Sequence, residues 1–316
     1  MKSVWITGAR GFIGRNLSKW LSQQGHIVAG LGHGAWPEGE ARQWGISVWL
    51  NGDILPSNLV HLRSALGVPD IVFHLAGGSS VGAALAAPRE DFARTVGTTV
   101  ELLEWMRLEA PQARLVVSSS AAVYGNGYPG PIDEGATLAP YSPYGHHKLM
   151  MEQLCRSYAA NYSLASAVVR LFSVYGAGLK KQLLWDLCNK LAGASGSVEL
   201  SGAGGELRDW TDIRDVVRVL DKASSLATSE VLVLNGGSGI ATSVAAIAEQ
   251  LSAAWAGNAR ATVLRFNGLP RPGDPFSLVA APSRLQALGF EWRVPIAQGL
   301  VDYVRWYRGE RLRGGV

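Results

Sequence analysis

The 316 residues are 47% hydrophobic and 17% charged, with 38 glycines and 14 prolines, a balance that excludes a disordered chain and a small stapled scaffold. The formal net charge of +4 is scattered apart from Arg305, Arg308, Arg311 and Arg313, which argues against nucleic acid and suits an anionic substrate. Cys155 and Cys188 have no CxxC or metal-ligand spacing, so neither a disulfide framework nor a metal site is expected, and a cytoplasmic, reducing setting fits.

In chain order, the apolar run at 1–6 is stopped by Thr7 and Gly8, far short of a secretory core or a membrane span, and reads as a first strand. Thr7-Gly8-Ala9-Arg10-Gly11-Phe12-Ile13-Gly14 follows it and opens a helix over 12–24 that Gly25 ends. Strand, glycine turn and helix in that order form a phosphate cradle, because the helix start offers free amides and Gly8, Gly11 and Gly14 admit a pyrophosphate closely. Strands are predicted at 27–31, 48–50 and 71–75, with a helix at 60–66 between the last two. The alternation implies a parallel sheet covered on both faces.

An amphipathic helix is predicted at 95–107 and a buried strand at 115–117 running into Ser118, Ser119 and Ser120. A long helix at 144–162 and a strand at 168–172 complete the series. Ligands of such sheets sit beyond the carboxyl ends of the strands, where Gly8, Asp53, His74, Ser118 to Ser120 and Phe172 fall. Beyond about 173 the pattern changes to short mixed segments, with a helix at 183–191, a strand at 198–200 and further apolar stretches at 231–234, 244–254 and 300–307. The expectation is an α/β protein with a Rossmann-type doubly wound sheet over 1–172, rejoined by part of 212–238, and a smaller mixed α/β substrate domain over 173–316.

Tyr144 and Lys148 stand four apart at a helix start, so they share a face on which the ammonium is expected to lower the phenol's pKa. Ser120 is placed to bond the same substrate oxygen. Adjacent His146 and His147 point different ways and have no third partner, so no metal is expected there. Cradle, tyrosine, lysine and serine together point to hydride transfer.

With Gly52-Asp53, His74-Leu75-Ala76-Gly77, Arg170-Leu171-Phe172, Arg208-Asp209-Trp210 and Arg271-Pro272-Gly273-Asp274, the chain resembles, nearly end to end, the extended short-chain dehydrogenase/reductases of the NAD-dependent epimerase/dehydratase group. That resemblance implies a nucleotide-diphosphate sugar as substrate and Ser120, Tyr144 and Lys148 as catalytic residues. It implies a dinucleotide held by Gly8, Arg10, Gly11, Phe12, Ile13, Gly14, Asp53, Ile54, Leu75, Ala76, Gly77, Ser118, Tyr144, Lys148 and Phe172. Asp53 would accept from the adenine amino group, and Lys148 would hold the nicotinamide ribose. Ser79, Ser120, Ser173, Arg208 and Arg271 fall on the substrate side, the arginines gripping the diphosphate. Lys180, Lys181 and Gln182 fall where the family lines its sugar-nucleotide cleft. A homodimer through helices 95–107 and 144–162 is also implied, with Leu102, Leu103, Trp105, Met106, Leu149, Met150 and Met151 as its surplus apolar residues.

Ala121 and Ala122 stand where sugar dehydratases place an acid and a base, which disfavours dehydration. Oxidation or reduction at a sugar carbon, C4 first, remains. The stretches 74–82 and 118–125 look most like UDP-glucose 4-epimerases. Gly32, however, stands where an NAD-holding member puts a ribose-binding carboxylate, and Arg10, His33 and Arg42 are available to a 2′-phosphate. Ser79, Thr95 and Ser173 also depart from the epimerase pattern. The expectation therefore leans to NADP(H) and reduction of a 4-keto sugar nucleotide, with a 4-epimerase using NAD(H) as the alternative and a non-catalytic dinucleotide sensor as a minor one.

Overall fold

The computed structural model describes residues 1–194, 196–269 and 275–314. Six parallel strands, β1 (Ser3–Thr7), β2 (Ile27–Gly32), β3 (Val48–Asn51), β4 (Ile71–His74), β5 (Arg114–Ser120) and β6 (Ser166–Leu171), lie in the order β6-β5-β4-β1-β2-β3. Leu232–Gly236 adds a seventh strand beside β6. Val4, Trp5, Ile6, Ile71, Val72 and Phe73 are all buried, the continuous apolar character of strands covered on both faces. The order turns back between β1 and β4, which makes their carboxyl ends the switch point of a Rossmann-type α/β sheet.

The connections are α1 (Phe12–Gln23), α2 (Glu40–Gln43), α3 (Pro56–Leu66), α4 (Val81–Ala86), α5 (Pro88–Phe92), α6 (Thr98–Glu109) and α7 (Pro143–Tyr162). Helix α1 buries Gly14, Leu17, Ser18 and Leu21, and the chain leaves it through Gly25, whose φ of 82° lies in the region open to glycine. The helix predicted at 95–107 is divided. Ala93–Gly97 form a π turn and α6 begins at Thr98. Thr95 in this wider turn accepts from Gly78 N–H at 2.8 Å, and Thr99 donates to the Thr95 carbonyl at 2.6 Å, so side-chain bonds hold the local departure from helix.

The main apolar cluster joins Trp5 to Trp105, stacked at 5.0 Å, and includes Leu102, Leu103, Met106 and Met151. This corrects the reading of those residues as surplus for a partner. Trp105 and its neighbours are core, and of the seven named only Met150, at 41%, is exposed.

The chain packs as two compact units, the first made of Met1–Gly125, Glu134–Leu171 and Val217–Asn235. The second, Asn126–Asp133, Phe172–Val216 and Gly236–Val316, is built on Leu207–Asp212. That strand pairs with Ser173–Tyr175 and Ser277–Leu278 in parallel and with Ala241–Ser243 antiparallel. Ser197–Leu200 and Val263–Phe266 form a separate parallel pair. Among the described residues no helix is long and apolar enough to cross a membrane.

Candidate active site

Gly8 leaves β1 with φ 71°, and a β-carbon there would lie 2.8 Å from Ala76 N. At Gly14 a β-carbon would meet the Gly8 carbonyl oxygen at 2.3 Å, so the first turn of α1 lies directly on the loop before it. Gly11 caps the helix with no side-chain hydrogen bond. The turn therefore keeps bare backbone and uncapped amides where a side chain would fill the space. A pyrophosphate fits that chemistry.

The same loop serves a second group. Ala76 lies against Gly8, and a β-carbon on Gly77 would lie 3.5 Å from Lys148 Nζ. The cradle and Lys148 are thus joined through residues 75–78. His74, just before them, shares hydrogen bonds with Thr7 Oγ1 at 2.8 Å and Thr99 Oγ1 at 3.1 Å. Burial, with the Lys148 charge nearby, pushes its pKa down from 6.5 to about 3, so the ring is neutral.

Ser142, Pro143 and Gly145 explain why α7 starts where it does. Ser142 accepts from Gly145 N–H at 3.2 Å, Pro143 occupies the first turn, and a β-carbon on Gly145 would strike the Ala122 carbonyl at 2.6 Å. This presses the first turn of α7 onto the end of β5. Tyr144 is hydrogen-bonded there to Ser120, and Lys148 Nζ donates to the Ser118 carbonyl at 2.9 Å. The intervening Ser119 donates to Glu152 at 2.5 Å instead.

Burial lowers Lys148 to about 8, against the raising effect of Asp91 and Glu152. Burial raises Tyr144, the Ser120 hydrogen bond opposes this, and Asp91 adds to it. The expectation of a phenol made acidic by Lys148 is corrected here: desolvation prevails, with Nζ 5.9 Å from the ring centre. At neutral pH the protein on its own holds a phenol beside an ammonium.

The other expected residues are distributed more widely. Phe12 and Ile13 are half-buried at the start of α1, and Leu75, Ala76 and Gly77 form the shared loop. Ile54 packs its side chain into the main core. Asp53 is exposed and pairs with His33 at 3.1 Å. Arg10 lies over the Trp36 ring at 5.7 Å, close to Gly34, while Arg42 is exposed on α2. Gly32 ends β2, where a β-carbon would stand 3.5 Å from Gly8 Cα. Ser79 is exposed, and its neighbour Ser80 caps α4.

Phe172, Ser173 and Arg208 belong to the second unit, where Arg208 donates to its neighbour's Leu207 carbonyl at 2.8 Å. Lys180 pairs there with Glu310 at 2.7 Å. Arg271 lies outside the described residues. One buried group went unread in the sequence, Asp91, which meets the ring of His147 at 2.6 Å. No local spacing joins them, because they come from different helices.

The profile of the NAD dependent epimerase/dehydratase family matches residues 4–233. A UDP-glucose 4-epimerase of Azospirillum brasilense is 29% identical over 301 residues, 90% of this chain and 85% of that protein. Another, from Erwinia amylovora, is 32% identical over 242 residues, 70% of this chain and 71% of its own length. Among solved structures, MoeE5 in complex with UDP-glucuronic acid and NAD is 32% identical, with a TM-score of 0.84 over 98% of this chain and 99% of that one. With a glycine cradle and Lys148 meeting the same loop, Tyr144 and Ser120 beside Lys148, and a profile match over most of its length, the chain belongs to the NAD-dependent epimerase/dehydratase family.

Proposed function

We propose that this protein is a UDP-sugar 4-epimerase working with NAD. The observation that carries the reading is the sharing of residues 75–78 between the Gly8 turn and Lys148, with Tyr144 hydrogen-bonded to Ser120 alongside. The similar proteins described as UDP-glucose 4-epimerases, and MoeE5 with its UDP-glucuronic acid and NAD, support this over the NADPH-dependent 4-keto reductase towards which Gly32 leans.

Gly8, Gly11 and Gly14 would hold the dinucleotide's pyrophosphate and Lys148 its nicotinamide ribose. When bound, the oxidised nicotinamide supplies a hydride acceptor and a positive charge. Tyr144 takes the proton of the sugar's 4-hydroxyl and later returns it to the 4-keto oxygen presented on the opposite face. Ser120 steadies that oxygen by hydrogen bonding. Lys148 and the bound nicotinamide together would put positive charge near the phenol, offsetting the loss of water that keeps it protonated in the protein on its own. The second unit, with Ser173, Arg208 and Arg271, would bind the sugar nucleotide.

A homodimer is part of the proposal, resting on Met150 of the residues first expected and on three others. Val100 and Leu108 on α6 and Met150 and Tyr162 on α7 are exposed apolar side chains. The two buried, unpaired thiols fit a reducing cytoplasm.

Tyr144→Phe tests the reading. It should lower interconversion of UDP-glucose and UDP-galactose by about 10²–10⁴-fold with the fold and bound NAD retained. Rapid NADPH consumption with a 4-keto sugar nucleotide, and no NAD carried through purification, would favour the reductase instead. That second reading rests on Gly32, which leaves the end of β2 without a carboxylate.

A further inference from the structure

Asp91 is a buried carboxylate outside the Ser120, Tyr144 and Lys148 set. It stands near the end of α5, 6% exposed, with its Oδ2 at 2.6 Å from His147 Nδ1. His147 immediately precedes Lys148 on α7, and its ring meets Phe92 edge-on at 5.5 Å. The other oxygen of Asp91 occupies the place of a side chain on Gly78, only 1.8 Å from where a β-carbon would stand. Gly78 therefore admits the carboxylate to the loop whose preceding residue, Gly77, adjoins Lys148.

Lys148 is flanked by Asp91 and Glu152, with neutral His74 close by. Glu152 is engaged by Arg170 through two hydrogen bonds, at 3.0 and 2.7 Å, which offset its charge. Asp91 acts on both Tyr144 and Lys148, and on Lys148 its favourable effect exceeds that of Glu152. The His147 ring gives this enclosed carboxylate its hydrogen-bond partner.

We infer that Asp91, clamped by His147, is the counter-charge that keeps Lys148 an ammonium and sets the pH range in which Tyr144 exchanges its proton. Asp91 is a positioning residue, acting through Tyr144 and Lys148, and the inference rests on their assignment above. Removing a negative charge makes every neighbouring acid stronger, so both limbs of the activity profile should move towards lower pH.

The test compares pH profiles of kcat/KM for the NAD-loaded enzyme and three variants. Asp91→Asn should move both limbs down by about one pH unit. His147→Leu removes the hydrogen-bond partner that holds the Asp91 carboxylate in place and should move the limbs the same way. His147→Asn keeps an N–H at the same place and should restore the profile. A uniform fall in rate with unmoved limbs in both Asp91→Asn and His147→Leu would reduce the pair to a structural contact and overturn the inference. Should Asp91→Asn not fold, the two His147 variants decide the matter alone. Full activity of Tyr144→Phe would remove the reading of the site itself, whereas an inactive Tyr144→Phe with an unmoved Asp91→Asn profile would remove only this inference.

Discussion

Arg170 and Glu152 meet through two hydrogen bonds, Nε to Oε1 at 3.0 Å and Nη2 to Oε2 at 2.7 Å, with each side chain 1% exposed. Arg170 also donates to the Tyr124 hydroxyl at 2.9 Å and to the Glu134 carbonyl at 3.0 Å, and Ser119 donates to Glu152. The network ties β6 to α7 and to the end of β5, directly behind Ser120.

Cutting this pair on one side leaves an uncompensated buried charge. Arg170→Met should therefore destabilise the protein by about 3–5 kcal/mol in denaturant unfolding, whereas Arg170→Met combined with Glu152→Leu should recover a large part of that loss. A double variant as unstable as the single one would show that shape, and not charge, dominates.

Gly14→Ala places a methyl group against the Gly8 carbonyl and the Ala9 backbone, neither of which has a flexible end to yield. Loss of about 1–3 kcal/mol and release of NAD during purification are expected, read by thermal unfolding and by the absorbance of the heat-released cofactor. Gly25→Ala is the control. Its φ of 82° carries a strain of about 1 kcal/mol, but nothing stands within 4 Å, so NAD should stay bound.

His74 gives the protein an acid limit. Its ring takes a proton at about 6.5 in the unfolded chain and only at about 3 in the folded one. Between those values the unfolded state binds the extra proton, so stability falls as pH drops through that window, by on the order of a few kcal/mol. His74→Asn should flatten the dependence of unfolding free energy on pH between 6.5 and 3, whatever it does to stability at pH 7.

Lys148 sets a limit at the other end. It loses its proton at about 8, after which the phenol loses its cationic neighbour. The kcat/KM of the wild-type enzyme should decline above that pH. Lys148→Met should be slower by about 10²-fold or more at neutral pH and show no such decline.

The glycine turn and the Tyr144, Lys148 spacing were legible in sequence because each is a short-range pattern whose meaning depends on one strand or one helix. The sheet was legible for the same reason, since buried strands are written as unbroken apolar runs such as Ile71 to Phe73. Burial on α6 and α7 was not, because periodicity marks an apolar face without saying whether sheet or partner covers it. Trp105 and Met151 proved to be core while Leu108 stayed outside. The Asp91 to His147 contact spans 56 positions and no local pattern carries it. The phenol's ionisation was misread because spacing conveys proximity to a charge and omits the loss of water around it.

The strand Leu232–Gly236 lies beside β6 but is reached only after the whole Phe172–Val216 stretch. During synthesis, the wall of the sheet at Ser166–Leu171 therefore waits bare while that excursion leaves the ribosome, although all six of its residues are buried in the finished protein. A product terminated at Leu171 would carry the complete glycine turn and both Tyr144 and Lys148, yet offer its open strand to other chains. Such a truncation should aggregate unless something covers the open strand.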